Sequence, residues 1–295
     1  MKNILSFLAL IPTALSAQFT VTVKADPSFT GKEAYFYTLS GSKDILVSRE
    51  NKNTNVWKIN YPSNYTGMMK IYFPDAKSSV NFISENKDVS LELITANNKI
   101  TQVNYLDAAN RLMDEVQSST RNRDVILPAL LQMKDYYKPS SEFGKAMQKE
   151  IQALNAKQQV DPVQHPFVAY YSTNYQRFIS ESNSQKPSQD ETVNFIAKTG
   201  GMLETSSLIQ PMLSEYLKSS GNNLDGALDK LLAAVNVETP RGQMILSEAI
   251  ELFDAYGMQL QKEKYLGMAK NLKCTIFDRL AGTIATNKNT ELGAQ

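Results

Sequence analysis

The hydrophobic period of this chain changes once, near Asn104, and that change limits the fold more than any other feature. From Phe19 to about Val103, apolar and polar residues alternate. Phe19-Thr20-Val21-Thr22-Val23 and Val56-Trp57-Lys58-Ile59-Asn60-Tyr61 keep period two. Ala34 to Leu39, Ile45 to Val47, Met68 to Phe73, Val80 to Ile83 and Val89 to Ile94 are short and rich in strand formers. Neighbouring side chains of a strand point to opposite faces, so alternation gives one dry face and one wet one. Turn residues separate these segments, among them Pro27, Gly41-Ser42-Lys43-Asp44, Asn51 to Asn55 and Pro74-Asp75. Short strands punctuated in this way predict an antiparallel sandwich or barrel over residues 18–103.

Beyond Tyr105 the period becomes 3.6. Leu106, Ala109, Leu112, Met113 and Val116 form one helical stripe, and Val125, Leu127, Leu130, Leu131 and Met133 predict a second, separate helix. A third follows from Ser141 to Leu154. His165-Pro166 opens a helix carrying Phe167, Tyr170, Tyr171, Tyr175 and Phe178. Further stripes run over Val193 to Ala197, Leu203 to Leu217, Leu224 to Val235, Gly242 to Tyr256, Leu260 to Lys273 and Thr275 to Ala285. Thr239-Pro240 supplies an N-cap and a first helical residue, and Gly257 a stop. The expectation is an α+β fold: the β domain, a helical domain over 104–288, and a linker-like tail over 289–295. Segregation of strands from helices argues against a parallel sheet built from βαβ units.

Residues 1–17 read as a secretory signal peptide. Lys2 is the basic start, Ile4 to Leu15 the apolar run, and Leu15-Ser16-Ala17 the small-residue cleavage pattern before Gln18. The run falls short of the roughly 20 residues of a membrane span. These features predict export to the periplasm or cell envelope. The chain has 31 basic and 30 acidic residues, levelled by loss of Lys2. With no basic block, nucleic acid is not an expected partner. Cys274 is the only cysteine, which rules out an internal disulfide and a C-x-x-C centre in these residues.

No catalytic, cofactor-binding or metal-binding residue is assigned from sequence. His165 is the only histidine and stands at a helix start, where contact with backbone or solvent is expected. With one His and one Cys, a conventional zinc site lacks ligands. Asp114-Glu115 and Asp190-Glu191 are adjacent, and adjacent residues on a helix diverge. Gly200-Gly201 belongs to no phosphate-binding pattern, and Asn222 to Gly226 lacks the ligand spacing of a calcium loop. Two features keep a functional reading. Tyr170, Tyr171, Tyr175 and Phe178 are a candidate binding face for peptide or glycan, weighed against a core role. Cys274 is a candidate reactive thiol, weighed against simple burial.

Val80-Asn81-Phe82-Ile83-Ser84-Glu85-Asn86, the passage Ile100-Thr101-Gln102-Val103-Asn104-Tyr105, the helical segment Arg241 to Ile284 and the tail Asn289 to Gln295 carry a resemblance. They are similar to the N-terminal region of exported thioredoxin-like, peroxiredoxin-like proteins. The tail resembles the start of the entry strand of their catalytic domain. The resemblance implies an accessory region that positions, dimerises or selects substrates for a redox domain, with a protein or peptide partner and oligomerisation allowed. It transfers no catalytic residue, because the family's C-x-x-C or peroxidatic cysteine lies downstream of the matching part. The competing reading is a free-standing envelope binding protein for peptide or glycan. A hydrolase with dispersed acidic residues is a third.

Overall fold

The computed structural model describes residues 19–156, 159–183 and 185–292. The expected signal peptide lies outside the described residues, as do the last three residues of the expected tail. Among the described residues there are eight strands: β1 (Phe19–Ala25), β2 (Glu33–Ser40), β3 (Lys43–Asn51), β4 (Val56–Tyr61), β5 (Thr66–Phe73), β6 (Ser78–Glu85), β7 (Val89–Ala96) and β8 (Lys99–Tyr105). They form two four-stranded sheets, ordered β4-β1-β7-β8 and β3-β2-β5-β6. Alternation does what period two requires: Trp57 and Ile59 are buried, whereas Lys58 and Asn60 are exposed. Inner residues of both sheets, including Val21, Phe36, Trp57, Ile71 and Leu91, share one core, which makes the domain a sandwich. Trp57 packs edge-on against Phe73 and Phe29, with ring centroids 5.0 and 6.0 Å away. Its Nε1 donates to the Lys32 carbonyl at 3.3 Å.

One pairing departs from the antiparallel expectation: β1 and β7 run parallel, Val21 opposite Val89 through Ala25 opposite Leu93. Both are inner strands of their sheet with buried alternate residues. The sequence also hides β8, whose residues are mostly exposed or half-buried and so carry little apolar signal.

The helices are α1 (Ala108–Lys134), α2 (Glu142–Asn155), α3 (Pro166–Phe178), α4 (Gln189–Lys198), α5 (Ile209–Ser219), α6 (Leu224–Val235), α7 (Pro240–Ala255), α8 (Gln259–Lys270) and α9 (Asp278–Leu292), with a 3-10 turn at Gly201–Leu203. Where two helices are expected, α1 is one helix. The polar stretch Gln117 to Arg123 interrupts the apolar stripe but contains no Gly or Pro to break the backbone. Pro128 does lie inside α1, where it removes the amide that would bond the Asp124 carbonyl. Thr239 caps α7 by accepting from the Gly242 amide, with Pro240 at the first position. The final helix reaches Leu292, beyond the expected start of the tail.

Helix α7 is the hub. Its residues from Gly242 to Ile250 are all buried, because other helices and the sandwich surround it. A helix covered on every side must satisfy its polar side chains internally. Gln243 donates to the Thr275 carbonyl and accepts from the Phe277 amide, both at 2.8 Å. Ser247 shares a hydrogen bond with Thr283 at 2.5 Å. Glu248, fully buried, accepts from the Ser42 amide at 2.7 Å and from Arg279 at 2.9 Å.

Sandwich and helices interlock. Gly41 donates to the Glu204 carbonyl at 2.7 Å and Met68 to the Thr205 carbonyl at 2.8 Å. Gly41 has φ 64°, and a Cβ there would come within 2.3 Å of Glu248 Oε1. Only glycine allows both the turn and the close approach. A small apolar cluster of Ile83, Met113, Val116, Phe167 and Val168 joins β6, α1 and α3. Among the described residues no helix is long and apolar enough to cross a membrane.

Candidate functional site

Two buried polar anchors fix α1 and α3 on the edge of the second sheet. Asn110, on α1, meets Ile83 of β6 as a neighbouring strand would. It accepts from the Ile83 amide at 2.7 Å and donates to its carbonyl at 2.9 Å. Glu85, at the end of β6, caps α3. One carboxylate oxygen accepts from the Phe167 and Val168 amides at 2.8 and 3.2 Å. The other lies 3.1 Å from His165 Nδ1. The negative carboxylate sits where a helix N-terminus favours it. His165 therefore engages a buried carboxylate rather than backbone or solvent, a contact linking residues 80 positions apart.

Between the two helices so held lies a cleft of about 620 Å³. Tyr171 and Tyr175 stand on its α3 wall, stacked with ring centroids 5.9 Å apart and planes 25° from parallel. Gln117, Thr120, Arg121, Asp124 and Val125 line the α1 wall, and Asn81 of β6 closes one end. Tyr175 donates its hydroxyl to Asp124 at 3.1 Å, and Ser180 donates to the other Asp124 oxygen at 2.5 Å. Burial, reinforced by the Asp124 charge, pushes the Tyr175 hydroxyl up to about 12, and burial also raises Tyr171. Both rings are thus neutral hydrogen-bonding groups at ordinary pH.

The cleft continues along the sheet edge. Asn81 and Gln117 also line an adjoining hollow of about 410 Å³ that follows Ser78 to Asn81 of β6 and Ile100 to Val103 of β8. Strand β6 has a ladder neighbour, β5, on one side only. Asn110 occupies its free edge at Ile83, and Tyr105 donates to the Asn81 carbonyl at 2.8 Å.

The four aromatic residues expected to share a face do not. Tyr170 bonds Thr199 at 3.0 Å and stacks on Phe195 of α4, and Phe178 is buried with its ring 4.6 Å from Phe195. One residue turns a helix by about 100°, so Tyr170 and Tyr171 cannot face the same way. Tyr171 and Tyr175, four apart, do. Cys274 lies elsewhere, half-buried in the turn before α9, where Gln243 Nε2 approaches its sulfur at 3.4 Å. Among the described residues no group of three or more His, Cys, Asp or Glu side chains could hold a metal ion. Sequence reasoning missed Asn81, Gln117, Thr120, Arg121, Asp124 and Val125; the signal available was the polar interruption of the α1 stripe. Comparison with family models, curated proteins and solved structures returned no match.

Proposed function

We propose that this protein is a non-catalytic binding region that holds an extended segment of a partner protein. The observation that carries the reading is the Tyr171–Tyr175 pair on the wall of a cleft continuous with a sheet edge. A sheet edge binds an extended peptide by main-chain hydrogen bonds, and aromatic pockets select its side chains. A glycan would use the aromatic wall but not the edge, which favours peptide.

Panning a random 12-mer phage library on the purified protein tests this. Recovered peptides should bind at least about tenfold more weakly to Tyr171→Ala and Tyr175→Ala, as expected for aromatic anchors. Thr120→Trp, which fills the cleft without removing a core side chain, should weaken binding as much. Peptides indifferent to all three variants would overturn the reading, and cleft-dependent binding on a glycan array alone would replace the peptide with a sugar.

A second reading follows the thioredoxin-like resemblance: the held segment is substrate, presented to a redox domain. One observation favours it. Helix α9 is tied through Arg279 to Glu248 and Glu251 of α7 and to Ser42 of the sandwich. A domain joined to that helix would keep a fixed relation to the cleft. The intact mass of the native protein in the envelope fraction, detected by antibody, should then exceed that of this chain by one domain of roughly 100–150 residues. A mass equal to this chain after signal removal would end the redox reading and leave the binding reading standing.

A further inference from the structure

Helices α1 and α2 form an arm whose outer face is apolar. Helix α2 packs chiefly on α1. The inward side of the arm is marked by Arg123, whose Nε donates to the Leu154 carbonyl of α2 at 2.7 Å. Leu127, four residues on, is buried on that side. A different stripe faces outward: Val125, Ile126, Ala129 and Met133 of α1, at i, i+1, i+4 and i+8, continued by Tyr136 in the turn after the helix. All five are exposed, Val125 by 70% and Tyr136 by 86%. Upstream positions on this line, Asp114 and Ser118, are polar, so the stripe is confined to the arm. A contiguous apolar stripe on a soluble helix marks an interaction surface.

We propose that the stripe pairs with the same stripe of a second copy, antiparallel about a two-fold axis through Ala129. Charge placement carries this choice of occupant. Ala129 is the small residue at the centre, where two helices can approach closely. Under the two-fold operation Val125 of one copy faces Met133 of the other, and the reverse contact repeats it. Arg121 on α1 and Asp135, its C-cap, flank the stripe on the same side at its opposite ends, both exposed and neither in an ion pair among the described residues. Eight residues before the centre and six after it, they come within about 3 Å of the same level when the helices run antiparallel. A parallel pair would instead leave Arg121 and Asp135 of facing copies about 20 Å apart along the seam. Two such contacts close the dimer, one at each end of a seam roughly 20 Å long.

The seam covers on the order of 500 Å² per copy, below the roughly 800 Å² of a stable complex, so association is weak and concentration-dependent. The stripe starts at Val125, a lining residue of the cleft, so dimerisation places the two clefts on either side of the axis. Sedimentation velocity of the purified protein across the micromolar range tests the proposal. A monomer–dimer equilibrium is expected. Ala129→Glu, at an exposed position, should abolish it with the thermal midpoint unchanged. Arg121→Glu and Asp135→Arg should each weaken it, and the two together should restore it. A monomer at every concentration, a dimer indifferent to Ala129→Glu, or no rescue by the double charge swap would each overturn the proposal. So would a stripe that stays monomeric and is covered by the panned peptide instead.

Discussion

Replacing Arg279 with alanine should lower the free energy of unfolding by about 3–5 kcal/mol, the usual result of removing one partner of a buried ion pair. Arg279 is almost fully buried and binds Glu248 at 2.9 Å and Glu251 at 2.6 and 2.8 Å. Without it Glu248, with no exposed surface, keeps one strong donor, the Ser42 amide. The desolvation that the pair offset would then stand uncompensated. Urea unfolding measures the loss; a drop below about 1 kcal/mol would place the pair in the screened, surface class. The same cluster gives stability an acid limb. Burial pushes Glu251 up, but the Arg279 hydrogen bonds and charge, with Thr283 and Lys43, outweigh it and hold its carboxyl below the ordinary 4.5. A carboxyl depressed in the folded state stabilises above its unfolded value, and that stability is lost as pH falls through the folded value. Arg279→Ala should therefore also flatten the decline of stability below pH 4.5.

Glu85→Ala is expected to cost about 3 kcal/mol, since hydrogen bonds to a charged group are worth more than neutral ones and buried amides are left without an acceptor. Its effect should be local as well as global. The Phe167 and Val168 amides lose their acceptor, so their hydrogen exchange should accelerate before the rest of α3 responds. Glu85→Gln keeps one carbonyl oxygen as acceptor and should cost about 1 kcal/mol. Equal losses for both variants would mean that the carboxylate charge, not the acceptor, sets α3 in place. Because α3 carries Tyr171 and Tyr175, the alanine variant should also weaken peptide binding without touching the cleft.

Local pattern was legible and long-range partnership was not. Period two placed the strands because each inner residue must find the core, and Leu224 to Val235 was read to the residue as α6. Thr239-Pro240 announced α7 because caps act through the neighbouring backbone. Alternation does not name a strand's neighbour, so the parallel β1–β7 pair stayed hidden. Charged residues are usually solvated, so nothing marked Glu85 and Glu248 as buried anchors. Helical geometry divides Tyr170 from Tyr171 and Tyr175, whereas Phe178, seven residues after Tyr171, leaves the cleft because α4 covers it: its ring is buried against Phe195. The α1 wall of the cleft was opaque because its polar residues look like any solvated helix face until α3 is folded against them.

The central claim is that the cleft between α1 and α3 holds the ligand. Amide hydrogen exchange of the protein, with and without a saturating peptide from the panning, tests it most directly. The account predicts protection confined to β6 at Ser78 to Asn81, to α1 around Gln117 to Val125 and to α3 around Tyr171 to Tyr175. Protection centred instead on the apolar groove of Leu217, Leu224, Phe253 and Tyr256 would contradict it and move the binding site to the groove lined by α5, α6 and α7.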